Sequence, residues 1–262
     1  MADHGDALLV ARPMTKLTPE WNKTSVAKWL MDAIERNDDA AALRLIAEGA
    51  DPGYADKRGL SPLCSAIYRH RTEVAVALIA AGANVNYQNF KKGVGLTPLM
   101  RACFNGSDKI VQALLDKGAD VNLQDNRGRT ALMDASHFDA LCLKPRMVDR
   151  LLREKPDVNK RTIGGSTALM MNSSQPENVK HLMKAGADIQ EKNEDGNTAY
   201  DLVRGTINHR TAGIYKRVYD NWARAADRKY QRRIETASKA MTDGTKRNIR
   251  PLRPLQLKAP KA

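Results

Sequence analysis

Residues 96–128, LTPLMRACFNGSDKIVQALLDKGADVNLQDNRG, hold one complete structural unit of this chain. Thr97-Pro98 predicts the start of a helix, because a proline at the first helical position removes only an N–H that has no partner there. Apolar residues then recur at helical spacing until Gly106, and a second short apolar stripe ends at Gly118. The remaining residues predict a turn and an extended hairpin. A unit of this size cannot bury its own apolar faces, so it requires neighbouring copies.

Two sequence markers show that these copies exist. The first marker, which begins each predicted first helix, recurs as Ser61-Pro62-Leu63, Thr97-Pro98-Leu99, Thr130-Ala131-Leu132, Thr167-Ala168-Leu169 and Thr198-Ala199-Tyr200. The second marker, which ends each predicted second helix, recurs as Gly49-Ala50-Asp51, Gly82-Ala83-Asn84, Gly118-Ala119-Asp120 and Gly186-Ala187-Asp188. Because both markers keep the same register, the chain is a repeat protein.

These markers resemble the ankyrin-repeat family, whose unit has ~33 residues and a T-P-L-H-x-A core. The resemblance covers about residues 28–205. It implies an all-α ankyrin-repeat solenoid, built from helix-turn-helix units with β-hairpin loops. It also implies a concave face, made by the first helices and the hairpin tips, on which the family usually binds partner proteins.

The chain is expected to contain four regions. These are a flexible lead-in at 1–20, an ankyrin-repeat domain at 21–205, a basic amphipathic helix at 206–241 and a basic, proline-containing tail at 242–262. The predicted repeats are a capping repeat at 21–59, repeats at 60–95, 96–128, 129–165 and 166–196, and the start of a terminal repeat at 197–205. The long helix is predicted because apolar residues recur every three or four positions from Ile214 to Met241.

The net charge of +13 is concentrated in the C-terminal region. Residues 204–262 hold 16 Lys and Arg against 4 Asp and Glu, whereas the rest of the chain is nearly neutral. Three readings stay open for this region: a helix that caps the repeats, a nucleic-acid-binding or nuclear-targeting segment, and a helix for an acidic protein or an anionic membrane surface. The candidate basic residues are Arg217, Arg224, Arg228, Arg232, Arg233, Lys246, Arg247, Arg250 and Arg253.

The sequence lacks the patterns of an enzyme or a metalloprotein. Cys64, Cys103 and Cys142 are odd in number and lie inside repeats, which favours reduced thiols in a cytosolic protein. They do not have the paired close spacing of a zinc site. The N-terminus does not read as a secretory signal peptide, and no apolar run is long enough for a membrane span. We therefore expect a non-enzymatic cytoplasmic protein without cofactor, with the nucleus or delivery into a host cell as alternatives.

The candidate partner-binding residues follow from alignment with the family's concave face. They include all three phenylalanines of the chain, and aromatic residues and arginine are enriched at protein interfaces. The set is Tyr68, Arg69, Phe90, Lys91, Lys92, Phe104, Asn105, Asn126, Arg127, His137 and Phe138. The predicted function is an interaction scaffold or adaptor that is monomeric alone and binds another protein. The alternative is a nucleic-acid-binding protein that uses the basic C-terminal segment.

Two loops depart from the regular repeat. The hairpin at 88–94 is longer than its equivalents, and the turn at 141–145 is wider. Each is either a tolerated surface insertion or a contact with the partner. Asn86, Asn122 and Asn159, in contrast, are predicted to be structural and to hold the hairpins by side-chain-to-backbone hydrogen bonds.

Overall fold

The computed structural model describes residues 23–89, 94–135, 146–173 and 175–204, together with the single positions 216, 217, 220, 221, 224, 228 and 235. Backbone contacts divide the chain into two units, Met1–Leu202 and Val203–Ala262. Each unit is described by itself.

The first unit is built from pairs of short helices. Its helices are α1 (Lys23–Glu35), α2 (Asp39–Ala47), α3 (Pro62–Tyr68), α4 (Thr72–Ala80), α5 (Pro98–Asn105), α6 (Asp108–Asp116), α7 (Arg146–Arg153), α8 (Ala168–Met171), α9 (Pro176–Lys184) and α10 (Ala199–Arg204). Residues 131–135 are also helical. Within the described residues the connecting loops consist of turns and one isolated antiparallel bridge, between Arg161 and Thr167, so they lack the regular strands of the expected β-hairpins. The predicted all-α repeat fold is confirmed.

The first helices α3, α5 and α8 begin where the sequence predicts, and a hydroxyl caps each of these three starts. The backbone N–H of Met100 donates to the Thr97 hydroxyl at 3.1 Å, and that of Cys64 donates to the Ser61 hydroxyl at 3.2 Å. Such caps satisfy an amide that has no partner inside the helix. At the other end of α5, Gly106 adopts φ +69°, a left-handed conformation that glycine accepts without steric cost.

The helices pack in two layers. The first helices α1, α3 and α5 pack against one another in order, and the second helices α2, α4 and α6 do the same. Leucines at equivalent positions of four repeats are at most 2% exposed, namely Leu63, Leu99, Leu132 and Leu169. Full burial of one leucine contributes about 1.5–3 kcal/mol. The apolar core is therefore shared between neighbouring repeats rather than enclosed by any one of them.

A ladder of asparagine side chains joins consecutive repeats. The side-chain oxygen of Asn122 accepts a hydrogen bond from the backbone N–H of Asp157 at 2.8 Å. Asn86 and Asn159 form the equivalent bonds, each also at 2.8 Å, with the N–H groups of the residues that follow the next Gly-Ala pair. These asparagines are structural, as predicted. Their bonds, however, reach the next repeat, whereas the prediction had them hold their own hairpin.

A second ladder runs along the loops and was not foreseen from the sequence. The amide of Gln88 donates to the carbonyl of Gln124 at 3.0 Å, and the amide of Gln124 donates to the carbonyl of Arg161 at 3.0 Å. The guanidinium of Arg161 continues the series to the carbonyl of Lys192 at 2.9 Å. Two glutamines and one arginine thus share one structural role. Because the residue type differs, the sequence pattern does not show that positions 88, 124 and 161 are equivalent.

The second helices carry a series of ion pairs between repeats. Asp39 pairs with Arg71 at 3.6 Å and Glu73 pairs with Lys109 at 2.6 Å. Asp108–Arg150 and Asp149–His181 continue the same series in the following repeats. Exposed pairs of this kind contribute about 0–1 kcal/mol each, so they favour the stacking register more than they stabilise the fold.

The predicted lead-in, the loop tip at 90–93 and the wide turn within 136–145 lie outside the described residues. In the second unit, every described position between 216 and 235 is helical, and the rest of the predicted helix and the whole predicted tail lie outside the described residues. None of the helices among the described residues is long and apolar enough to span a membrane.

Gly128→Ala should destabilise the repeat unit strongly. Gly128 adopts φ +74°, and a Cβ atom there would lie 2.9 Å from both the carbonyl oxygen of Arg161 and the Cα of Thr162. These are backbone atoms of the next repeat, so the loop itself must move. We expect a loss of roughly 2–4 kcal/mol in the free energy of unfolding, measured by urea titration with circular dichroism.

The matched control is Gly118→Ala. Gly118 has a similar φ of +78°, but no atom lies within 4 Å of its added Cβ. The free energy of unfolding of Gly118→Ala should therefore fall only by the penalty for a left-handed backbone, about 1–2 kcal/mol. Equal losses in the two variants would show that the close approach of the loops at Gly128 does not matter for stability.

Candidate functional site

Two aromatic side chains are exposed on the layer of first helices. Tyr68 ends α3 and Phe104 lies near the end of α5, at equivalent positions of consecutive repeats. Tyr68 is 63% exposed and Phe104 is 41% exposed, whereas the other face of each helix is buried. The expectation that these two candidate residues are exposed is therefore correct.

Arg101 lies between the two rings. Its guanidinium carbon is 5.3 Å from the centroid of the Tyr68 ring and 5.9 Å from that of Phe104. Both distances are within the range of cation–π attraction. Among the described residues, the guanidinium has no hydrogen bond and no ion pair. We name Tyr68, Arg101 and Phe104 together the ring–arginine cluster.

Sequence reasoning missed Arg101. It occupies the variable position of the T-P-L-H-x-A core, which is written Thr97-Pro98-Leu99-Met100-Arg101-Ala102 here. The structure leaves this position partly exposed between buried Met100 and buried Ala102. The sequence did offer one signal for Arg101: the family motif leaves this position unspecified.

Arg129 holds two buried carboxylates in the following repeat. Its Nε donates to Asp125 at 3.0 Å, and its Nη1 lies 3.2 Å from Asp134. The backbone N–H groups of Arg127 and Arg129 donate to the other oxygen of Asp125, both at 2.8 Å. Asp125 and Asp134 are only 5% and 4% exposed. The acidic groups here are therefore covered and already paired.

Burial raises the pKa of Asp134 to about 6. The Arg129 guanidinium opposes this rise, the Asp125 carboxylate adds to it, and Arg101 opposes it more weakly. Because the charge of Arg101 lowers the pKa of Asp134, the two side chains lie near each other, although they do not form an ion pair. The carboxyl group of Asp134, which lies close to the ring–arginine cluster, therefore gains or loses its proton at mildly acidic pH.

Cys64 and Tyr87 are two further groups with reactive potential. Burial raises the pKa of the Cys64 thiol, with a hydrogen bond to Ser61 and the charge of Arg101 opposing it, so the thiol stays protonated. Burial likewise raises the pKa of Tyr87, whose hydroxyl donates to the carbonyl of Gly59 at 2.8 Å. Neither group is poised as a nucleophile. Within the described ranges, no group of His, Cys, Asp and Glu has the arrangement of a metal site.

Asn105, which was predicted as a partner-binding residue, also has a structural role. Its side-chain amide donates to the backbone carbonyl of Ile67 at 2.8 Å. This bond satisfies a carbonyl near the end of α3 and joins the second and third repeats. Arg69, the neighbouring candidate, is half-buried at the C-terminal cap of α3.

Asn126 and Arg127 lie on a loop tip, apart from the helical positions. Both are exposed, and their backbones join adjacent tips. The N–H of Asn126 donates to the carbonyl of Val94 at 2.9 Å, and the carbonyl of Arg127 accepts from the N–H of Ile163 at 2.8 Å. Val94 and Ile163 are themselves 43% and 71% exposed, so apolar groups flank Arg127 on both neighbouring tips.

The remaining candidates divide between the two units. Phe90, Lys91, Lys92, His137 and Phe138 lie outside the described residues, as do Arg232, Arg233, Lys246, Arg247, Arg250 and Arg253. Arg217, Arg224 and Arg228 are described, helical and exposed.

Stacked helix pairs joined by loop ladders define a helical repeat protein. The comparison with known families agrees with this class. The family described as ankyrin repeats (3 copies) matches residues 30–125 and 87–144. Residues 30–144 therefore consist of ankyrin repeats. No curated protein shows significant similarity to it.

The variant Asp134→Asn should flatten the dependence of stability on pH. The folded state raises the pKa of Asp134 from 3.8 to about 6, so it binds the proton more tightly than the unfolded state does. The free energy of unfolding of the wild type should therefore fall as the pH rises from about 4 to 6, by up to about 3 kcal/mol at about 1.4 kcal/mol per pKa unit. Asparagine cannot titrate, so the variant should lack this fall in urea titrations across that range.

The control for exchanging one carboxylate for an amide is Asp116→Asn, at an exposed position of α6. This variant should follow the wild-type curve. A wild-type stability that is constant or rises between pH 4 and 6, with Asp134→Asn parallel to it, would contradict the assignment.

Proposed function

We propose that this chain is a non-enzymatic interaction module, a scaffold or adaptor, that binds a partner protein on its concave face at repeats two to four. The observation that supports this most directly is the ring–arginine cluster. Ankyrin repeats generally mediate protein–protein interaction. Binding hot spots are enriched in tyrosine and arginine, and interfaces are enriched in aromatic residues.

The local structure explains why this cluster is available. Capping, core packing and the loop ladders use the Thr, Leu and Asn positions of each repeat, and none of these roles requires a side chain at Tyr68, Arg101 or Phe104. Large rings exposed on a rigid layer contribute contact area with little loss of conformational entropy on binding. The loop tip at Arg127, with exposed Val94 and Ile163, extends the proposed surface.

Partner binding should be lost in the double variant Tyr68→Ala/Phe104→Ala. Removing two hot-spot rings should weaken binding at least tenfold, since each such truncation costs about 2 kcal/mol or more. The full chain, immobilised, would capture partners from cells that express it, and quantitative mass spectrometry would compare the variant with wild type.

The matched control is Leu43→Ala, because Leu43 is 37% exposed on the second helix α2. It should retain every partner. Thermal unfolding of all three proteins would confirm that the variants are folded, since surface truncations usually change stability by about 0.5 kcal/mol or less. Undiminished capture by the double variant would refute the proposed function.

A second candidate function is nucleic-acid binding by the basic C-terminal segment. It is favoured by one observation in the second unit. Arg217, Arg224 and Arg228 are exposed and helical, and their spacing of seven and four residues puts them on one side of a helix. Such a row of guanidinium groups can neutralise phosphates without sequence specificity.

The test replaces all three arginines by glutamine in the full chain and measures binding to duplex DNA over a range of salt concentrations. Each lost phosphate contact should make the slope of log K against log[salt] shallower by about 0.9. The charge-matched control replaces three exposed basic residues of the repeat unit by glutamine, namely Arg36, Arg44 and Lys117. Equal slopes for the two triple variants would eliminate this candidate.

A further inference from the structure

Arg101 has an environment that favours an external anion. The guanidinium carbon lies within 6 Å of both ring centroids, while no described residue forms an ion pair with the guanidinium. Rings attract a guanidinium through their faces and leave its in-plane N–H groups available as donors. A partly buried guanidinium with no acceptor in the described part of the chain can donate hydrogen bonds to a ligand.

The neighbouring acids, Asp125 and Asp134, do not serve as hydrogen-bond acceptors for Arg101. Asp125 and Asp134 are buried and paired with Arg129, whose nitrogens lie 3.0 and 3.2 Å from them. Asp134 is close enough to influence Arg101 but forms its ion pair with Arg129. The charge that an incoming partner meets at this point of the surface is therefore positive.

We propose that Arg101 binds a carboxylate of the partner protein, and that the partner presents this Asp or Glu beside a large apolar residue that packs on Tyr68 and Phe104. This inference rests on the proposed function and names the chemistry of its partner. A guanidinium pairs with a carboxylate through two parallel N–H···O bonds, which also fixes the orientation of the ligand.

The geometry limits the distance between the two partner residues. The ring centroids lie 5.3 and 5.9 Å from the guanidinium carbon of Arg101. An extended chain advances about 3.3 Å per residue, so the carboxylate and the apolar side chain should be one or two residues apart. A short acidic-apolar segment of a partner protein satisfies this spacing.

A carboxylate fits better than a phosphate. Phosphorylated segments are usually bound by clusters of arginines, whereas the described part of this cluster contains one. The test includes a phosphorylated peptide for this reason.

The experiment selects binders from a random heptapeptide library displayed on phage, using the full chain as target. Wild-type selections should be enriched in Asp or Glu one or two residues from a large apolar side chain. Synthetic peptides from the selection should bind Arg101→Gln at least tenfold more weakly than wild type. Arg101→Lys should restore part of the affinity, and selections on Arg101→Glu should replace the acid by Lys or Arg.

The pairing itself is tested by a double-mutant cycle. Exchanging the peptide acid for its amide should weaken binding to wild type at least tenfold, but should change binding to Arg101→Gln by less than twofold. Additive effects would overturn the pairing. Thermal unfolding of each variant verifies that the fold is retained.

The outcomes separate this inference from the proposed function. Peptides that require Tyr68 and Phe104 but carry no acid, and that bind Arg101→Gln as well as wild type, would refute the inference alone. Peptides that bind Tyr68→Ala/Phe104→Ala undiminished, or a library that yields no binder, would refute both. A phosphoserine replacement that binds more than tenfold tighter than the acid would show that the site recognises phosphate instead.

Discussion

The contact between consecutive repeats is the constraint on which the rest of this structure depends. A pair of helices of seven to nine residues, such as α3 and α4, has too little interior to be stable alone. Leu63 and Leu99 are buried because the first helices of neighbouring repeats pack against each other. The asparagine and glutamine–arginine ladders then fix the spacing of the loops, since each bond satisfies a backbone group of the next repeat.

The side chains that stabilise the stack differ from those of the proposed binding surface. The side chains that stack the repeats point into the layers or along the loops, whereas other first-helix positions are exposed. Tyr68 and Phe104 occupy such positions, and Arg101 lies between them. Arg129 pairs with Asp125 and Asp134, and both of these acids are buried.

The candidate site was only partly predictable for a physical reason. Exposure of Tyr68 and Phe104 follows from helical periodicity and repeat register, both of which are local properties of the sequence. The bond from Asn105 to Ile67 joins residues in different repeats, so no local sequence pattern indicates that this side chain is engaged. The role proposed for Arg101 depends on two rings in separate repeats. Only the Phe104 ring lies in the same helix as Arg101, so a pattern within one helix does not indicate this role.

The sequence by itself determined the repeat register, the helix starts at Ser61, Thr97 and Thr167, and the all-α class. Each of these depends on interactions within a few residues: a hydroxyl cap, a glycine with positive φ, or an apolar stripe. Only the tertiary structure decided which backbone groups the Asn and Gln side chains reach, and that the Tyr68 ring of the preceding repeat lies beside Arg101. Those features depend on distances between residues about one repeat apart, and such distances exist only after the repeats have stacked.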